Sequence, residues 1–180
     1  VGSGPAGMEF ARTAASLGHD VTLYEQHEAL SGKLTPASLP PGKSLIADAA
    51  KWFALSLSAC GVTVKTGVHA TADMLKAGGY DMVFVATGGS PIFPGFLKDA
   101  PREGKGRLLH AEAVLEGADA GSRVLVLGGG LVGCECAAFL TEKGCDVTIV
   151  ELRDALAPDM EKHGRFFLLE ELKKGGVKAL

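Results

Sequence analysis

With 180 residues, 47% of them hydrophobic and only 6% aromatic, the chain is long enough to bury one large or two small cores, and its 25 glycines suit an α/β protein rich in tight turns better than an aromatic-rich β-barrel. A net charge of −3 and a pI near 6.0 leave no cationic surface able to neutralise several phosphates at once, which argues against nucleic acid as a partner. No apolar run approaches the roughly 20 residues that cross a bilayer and no charged-then-apolar leader opens the sequence, so the expectation is a soluble cytoplasmic chain without a membrane partner.

In chain order, a glycine turn runs from Gly2 to Gly7, Met8 to Leu17 read as a helix with Gly18 as its C′ residue, and Val21 to Tyr24 as a strand ending at Glu25. Ser44 is expected to cap a helix running to Cys60, which Gly61 ends ahead of the strand Val62-Thr63-Val64. Thr71 to Ala77 is a short helix, and Tyr80 to Ala86 a buried strand breaking at Thr87-Gly88-Gly89. The Pro-, Gly- and charge-rich stretch from Ser90 to about Gly106 is where a domain junction is expected, and His110 to Gly117 adds one short helix. An apolar run, Val124 to Leu127, then feeds the turn Gly128-Gly129-Gly130, a helix from Leu131 to Lys143 closed by Gly144, and a strand from Val147 to Val150 ending at Glu151. Gly175-Gly176-Val177 opens what reads as a further strand. Both ends read as cut, so a fragment is expected.

Laying Gly2 over Gly128, an offset of 126, aligns Gly2/Gly128, Gly4/Gly130, Gly7/Gly133, Glu9/Glu135, Gly18/Gly144, Asp20/Asp146, Val21/Val147, Thr22/Thr148 and Glu25/Glu151. Two copies of one β-turn-α-β unit are present, each with a G-x-G-x-x-G turn and an acid about 20 residues on, the fingerprint of dinucleotide binding. In such a turn the first glycine permits the sharp bend, the second lets backbone N–H groups approach a pyrophosphate, and the third lets the helix pack closely on the sheet, its N-terminus favouring the phosphate charge. Glu25 and Glu151 close the second strand of each copy, where a carboxylate can accept hydrogen bonds from ribose hydroxyls. Glu151 would repel a 2′-phosphate, which favours NADH over NADPH, although Arg153 nearby could accommodate that phosphate.

The tandem arrangement resembles the two-dinucleotide-binding flavoprotein reductases with a glutathione-reductase-like fold. It is most similar to the C-terminal part of the 2,4-dienoyl-CoA reductase and enoate reductase branch. The residues that carry the likeness are Gly2-Ser3-Gly4-Pro5-Ala6-Gly7-Met8-Glu9, Leu23-Tyr24-Glu25, Ser31-Gly32-Lys33-Leu34, Pro40-Pro41-Gly42-Lys43, Ala86-Thr87-Gly88 and Gly128-Gly129-Gly130-Leu131-Val132-Gly133. The resemblance implies tandem Rossmann-like α/β units with parallel sheets, a partial FAD-binding domain over 1–103 and the N-terminal half of an NAD(P)-binding domain over 104–180. It implies an FAD site formed by Gly2, Gly4, Pro5, Ala6, Gly7, Glu25, Gln26, Gly32, Leu34, Ala70, Ala86, Thr87 and Gly88, with Ala70 by the adenine. It places NAD(P)H on Gly128, Gly130, Leu131, Val132, Gly133, Glu135, Glu151 and Arg153, with Glu135 toward the nicotinamide.

By the same likeness, hydride passes from NADH or NADPH to FAD, and electrons pass on to an N-terminal TIM barrel holding FMN and a [4Fe–4S] cluster, which reduces an activated C=C bond. That barrel is not in this chain. The alternatives are an ADP- or FAD-binding module without turnover, as in amine-dehydrogenase relatives, and a reductase fused to a different acceptor. This sequence departs from the family at Ser31, where a glycine is usual, at Lys33, where glutamine is frequent, and in lacking the later Gly-Asp segment at the ribityl chain.

The four cysteines, Cys60, Cys134, Cys136 and Cys145, show neither cluster nor CxxC spacing; Cys134 and Cys136 stand about 200° apart on a helix and read as packing residues. The five histidines are scattered, so no metal is expected. Trp52 reads as core, and Glu170-Glu171 with Lys173-Lys174 as a solvated helix face. No side-chain catalyst stands out, as expected where hydride transfer depends on orientation more than on an acid or base.

Overall fold

The computed structural model describes residues 1–101, 103 and 106–180. The chain divides into two compact units, one comprising Val1–Ser38 and Ser44–Ser90, the other Leu39–Lys43 and Pro91–Leu180. The first ends where the Pro- and Gly-rich stretch begins; the boundary expected at 103/104 involves Gly104, outside the described residues. The sequence gives no hint that Leu39–Lys43 belongs with the second unit.

In the first unit the chain runs through α1 (Pro5–Ser16), β1 (Thr22–Tyr24), α2 (Leu34–Ala37), α3 (Leu45–Ala59), β2 (Thr63–Lys65) and α4 (Ala72–Ala77). β1 and β2 are parallel, with Leu23 opposite Val64. Met8 and Ala11 from α1, Leu23, Leu57 from α3 and Val62 form the buried core, to which the apolar period of the two helices commits one face of each. Thr71 caps α4 through its hydroxyl, which accepts the Met74 N–H. Ser44 precedes α3 but is itself helical (φ −54°, ψ −28°), and its hydroxyl makes no capping bond, because a cap requires extended backbone at that residue. Trp52 is 52% exposed rather than core: Leu57 and Phe53 take the inward face of α3, leaving the indole at the surface beneath the Arg12 guanidinium, 5.6 Å from the ring centroid.

Tyr80 to Ala86, expected as a buried strand, has no strand assigned, and most of it is exposed. The Val1 amino group donates to the Phe84 carbonyl and the Ala86 N–H to the Val1 carbonyl, each at 2.8 Å. Phe84 stacks on Phe10 of α1 with ring centroids 4.0 Å apart.

The second unit contains a 3₁₀ turn (Gly95–Leu97), α5 (Ala111–Leu115), β3 (Arg123–Leu127), α6 (Leu131–Glu142), β4 (Asp146–Val150), α7 (Lys162–Lys174) and β5 (Lys178–Ala179). Its sheet is parallel throughout in the order β3-β4-β5. Val147 and Ile149 point into a core closed by α6 and by Leu168 and Leu172 of α7. Glu161 caps α7, its two carboxylate oxygens accepting the His163 and Gly164 N–H groups at 2.9 Å.

Cys134 and Cys136 lie inside this core, and all four cysteines are free thiols. Burial raises both thiols, Cys136 to about 11 from an ordinary 9.0. Since the thiolate is the reactive form, iodoacetamide at pH 8 is expected to label Cys136 at least about a hundredfold more slowly than a thiol of ordinary pKa. Mass spectrometry of the native protein checks this; rapid labelling of Cys136 would show that α6 opens readily.

Among the described residues no helix is long and apolar enough to cross a membrane, and no three His, Cys, Asp or Glu side chains gather as a metal site.

Candidate dinucleotide-binding sites

Each glycine turn is built from the same three devices. In the first copy Gly2 has φ +96°, and a Cβ there would fall 2.3 Å from the Ala86 carbonyl oxygen; a Cβ on Gly7 would fall 1.9 Å from the Gly2 carbonyl oxygen. Gly4, between them, has nothing within 4 Å of where its Cβ would stand. In the second copy Gly128 has φ +102°, a Cβ on Gly133 would meet the Gly128 carbonyl oxygen at 1.9 Å, and Gly130 again faces open space. The third glycine of each turn is therefore required by contact within the protein, and the second leaves room for something else.

Gly4 and Gly130 are also the N-caps of α1 and α6, and neither helix has a side-chain cap. The first-turn N–H groups of Ala6 and Gly7, and of Leu131, Val132 and Gly133, are thus left to an anion or water at the positive ends of the two helix dipoles. Pro5, at the first position of α1, has no N–H to offer, so the first cradle presents one donor fewer. An open glycine beside uncapped amides is the shape that a pyrophosphate fits.

The glutamates tie each turn to its sheet. Glu25 is 7% exposed; its Oε2 accepts the Ser3 N–H at 2.8 Å and the Ser3 hydroxyl at 2.7 Å, and its Oε1 accepts the His27 N–H at 2.8 Å. Burial alone would raise its pKa, but these bonds from His27 and Ser3 outweigh burial and hold it below the ordinary value. Glu151 repeats the arrangement at the same offset: Oε2 accepts the Gly129 N–H at 2.6 Å and Oε1 the Arg153 N–H at 2.9 Å. Those N–H groups of Arg153 and Gly129 hold its carboxyl below the usual range.

The symmetry extends beyond the aligned residues. Ser31 and Ala157, also 126 apart, are the two non-glycine residues with positive φ (142° and 44°) among the described residues. Each sends its N–H back to the middle of its own turn, Ser31 to the Ser3 carbonyl at 3.2 Å and Ala157 to the Gly129 carbonyl at 2.6 Å. Gly32 then lies against the first turn, where a Cβ would come within 2.8 Å of Gly4 Cα. Ser31, standing where the family usually has glycine, keeps the left-handed conformation, and its hydroxyl is 2.5 Å from that of Thr35. Residue identity differs between the copies here, so the sequence alignment passes over both positions.

Gly2, Gly4, Gly7, Glu25, Gly32 and Ala86 are accordingly brought together around the first turn. Leu34 opens α2 and packs against the core. Gln26 is exposed and 3.3 Å from the ring of His69, which precedes half-buried Ala70. Thr87 and Gly88 are exposed, Gly88 with φ +72°. Leu131 and Val132 form the first turn of α6. Glu135, one turn further, is largely buried and paired with the Lys43 ammonium. The two repeat-related acids have thus diverged: Glu9 is exposed and bound instead by Arg12 of its own helix. Arg153 lies between Glu151, at 3.6 Å, and Asp159, at 3.2 Å. Asp159 is a contributor that sequence reasoning did not single out, and Ser3 and Lys43 entered there only as members of family motifs, without a role of their own.

Two α/β units with parallel strand pairing, each with a glycine turn that feeds a helix, define a tandem dinucleotide-binding protein. The family model described as pyridine nucleotide-disulphide oxidoreductase matches residues 1–180, and the chain belongs to that family. It is 44% identical to an NADH oxidase from Thermoanaerobacter brockii, over 99% of this chain and 28% of that protein, and 41% identical to a cinnamate reductase from Clostridium sporogenes, over 86% and 22%. Among solved structures, a complex of 2-naphthoyl-CoA reductase superposes with a TM-score of 0.89 at 28% identity, covering 99% of this chain and 27% of that one. The chain thus spans between a fifth and a third of the length of these relatives.

Proposed function

We infer that the chain is the nucleotide-binding portion of a flavin-dependent pyridine-nucleotide oxidoreductase, with FAD held by the first copy and NADH, or NADPH, by the second. The observation that carries this reading is the twice-built cradle, in which Gly4 and Gly130 leave open space beside uncapped helix amides while Gly7 and Gly133 are each closed against the carbonyl of the first glycine of their own turn. When bound, the reduced nicotinamide would supply a hydride and the flavin would accept it. The work of the chain's own residues is binding and orientation. Ala6 and Gly7, and Leu131, Val132 and Gly133, direct N–H groups at the two pyrophosphates; Glu25 and Glu151, already fixed by turn N–H groups, have lone pairs left for ribose hydroxyls. Glu135, paired with Lys43 near the start of α6, would face the nicotinamide end by the family likeness.

The electron acceptor is proposed to be an FMN- and [4Fe–4S]-containing TIM barrel of the same full-length protein, reducing an activated C=C bond in the cytoplasm. The relatives named for cinnamate and for naphthoyl-CoA reduction support that substrate class. The competing reading, a module that binds ADP without turnover, is disfavoured because the second cradle is as complete as the first.

The test is made on the full-length protein purified without added cofactor: its flavin content, then anaerobic bleaching with NADH and NADPH. Bound FAD bleached faster by NADH is the expected result. Faster bleaching by NADPH would reverse the nucleotide preference, and ADP in place of FAD, with no bleaching by either, would leave only a binding module.

A further inference from the structure

We propose that Asp159 is a specificity-determining residue of the second nucleotide site, excluding 2′-phosphorylated nucleotides by keeping Arg153 engaged; the inference rests on the reading of that site given above. Arg153 is paired with Glu151, the carboxylate expected to take the adenosine ribose, and it stands two residues past it, where a guanidinium is well placed for a 2′-phosphate. Its guanidinium is already held. Nη1 lies 3.2 Å from Asp159 Oδ2 and Nε 3.6 Å from Glu151 Oε1, so one cation is matched by two carboxylates and the trio carries net negative charge.

Asp159 is positioned by the fold. Ala157, 1% exposed and left-handed, donates its N–H to the Gly129 carbonyl at 2.6 Å, which pins the loop to the glycine turn. The Met160 N–H then returns to the Ala157 carbonyl at 3.1 Å, closing a turn with Pro158 and Asp159 at its corner. The backbone at Asp159 is therefore tied to the turn that would hold the pyrophosphate, and its largely exposed carboxylate reaches Arg153 from there. The first copy has no equivalent: at the same offset of 126 it has His27 for Arg153 and Lys33 for Asp159. The device is confined to the copy expected to take the nicotinamide nucleotide. A 2′-phosphate entering there meets net negative charge and must displace Asp159 before Arg153 can bind it, whereas an unphosphorylated ribose needs no such exchange.

The experiment measures equilibrium binding of ADP-ribose and of 2′-phospho-ADP-ribose to the full-length flavoprotein by calorimetry, at low and at physiological salt. The proteins compared are the wild type, Asp159→Asn, and the double variant Asp159→Asn/Arg153→Gln. Asp159→Asn is expected to bind 2′-phospho-ADP-ribose roughly three- to tenfold more tightly than the wild type, a gain that shrinks with salt, as for exposed ion pairs. ADP-ribose binding by the same variant shows that its fold is intact. The gain should vanish in the double variant, which separates release of Arg153 from mere loss of one negative charge. An unchanged ratio of the two affinities in Asp159→Asn, or a gain that persists without Arg153, overturns the proposal while leaving the nucleotide site standing. Failure of the wild type to bind either compound overturns the site itself.

Discussion

Gly130→Ala is expected to leave the protein folded and weaken nucleotide binding by tenfold or more, whereas Gly133→Ala, three residues on in the same turn, is expected to destabilise the fold itself. At Gly130 the backbone (φ −68°, ψ −177°) suits any residue and a Cβ meets nothing within 4 Å, so the cost to folding is that of a poorer N-cap, below about 1 kcal/mol. The methyl group instead occupies the space through which a pyrophosphate must approach the helix amides. At Gly133 two effects oppose each other. Replacing a helical glycine by alanine gains roughly 0.5–1 kcal/mol of helix propensity. The new Cβ, however, would lie 1.9 Å from the Gly128 carbonyl oxygen, and that atom is backbone held by the bond from the Gly128 N–H to the Val150 carbonyl at 2.9 Å. Forcing α6 away from β3 carries an overpacking cost of about 1–3 kcal/mol, so the net change is destabilising. Thermal melts paired with calorimetric titration of ADP-ribose distinguish the two variants. Wild-type affinity in Gly130→Ala would show that the phosphate sits elsewhere; an unchanged melting temperature in Gly133→Ala would show that the helix can retreat without cost. Gly4→Ala and Gly7→Ala should repeat the pattern in the first unit, where Gly7 meets the Gly2 carbonyl at the same 1.9 Å.

These contacts explain why so much of the architecture can be read from one sequence. A glycine needed for close approach leaves its trace in residue identity, and the same trace recurs at Gly2/Gly128, Gly4/Gly130 and Gly7/Gly133 because the geometry recurs. The helices and short strands around them follow from apolar period and from glycines that stop helices, as at Gly18 and Gly144, both left-handed. The strands that are assigned lie within a residue or two of their expected places.

What sequence does not encode locally is what long-range partners decide. Tyr80 to Ala86 has the composition of a buried strand, yet most of it is exposed and no strand is assigned there. Trp52 has the hydrophobicity of a core residue but lies off the inward face of α3. The Pro40-Pro41-Gly42-Lys43 segment reads as a family marker; its packing with the second unit, where Lys43 meets Glu135, depends on a contact 92 residues away in sequence. Ser31 and Ala157 are harder still. Their shared role is a backbone conformation and a backbone N–H, and neither serine nor alanine announces a positive φ.

The same logic gives Glu25 a structural weight that its reading as a ribose ligand understates. Glu25→Ala removes the acceptor for the Ser3 N–H, the Ser3 hydroxyl and the His27 N–H. Ser3 is wholly buried, so its two donors would lose their partner out of reach of water, while the His27 N–H can be rescued by solvent. Unsatisfied buried donors cost about 1–3 kcal/mol each, and a total loss of roughly 2–4 kcal/mol is expected after partial relaxation. Glu25→Gln keeps the shape and one acceptor oxygen but turns an NH₂ toward a donor, and should cost less than the alanine variant. The charge also imposes a pH dependence. Because hydrogen bonding from His27 and Ser3 outweighs burial, the folded pKa lies below the ordinary 4.5, and the unfolded chain takes up the proton first as pH falls. The stabilisation from the ionised carboxylate is therefore complete above about pH 4.5 and is lost as pH drops through the folded value, with no slope from this residue near neutrality. Glu9, Glu151 and Glu161 are shifted in the same direction and will add to acid lability, so the informative quantity is the difference between wild type and Glu25→Gln. Urea unfolding from pH 7 to pH 3 should show that difference constant down to about pH 5 and shrinking below it. A difference that stays constant to pH 3 would mean that the carboxylate is not what fastens the first turn to its sheet.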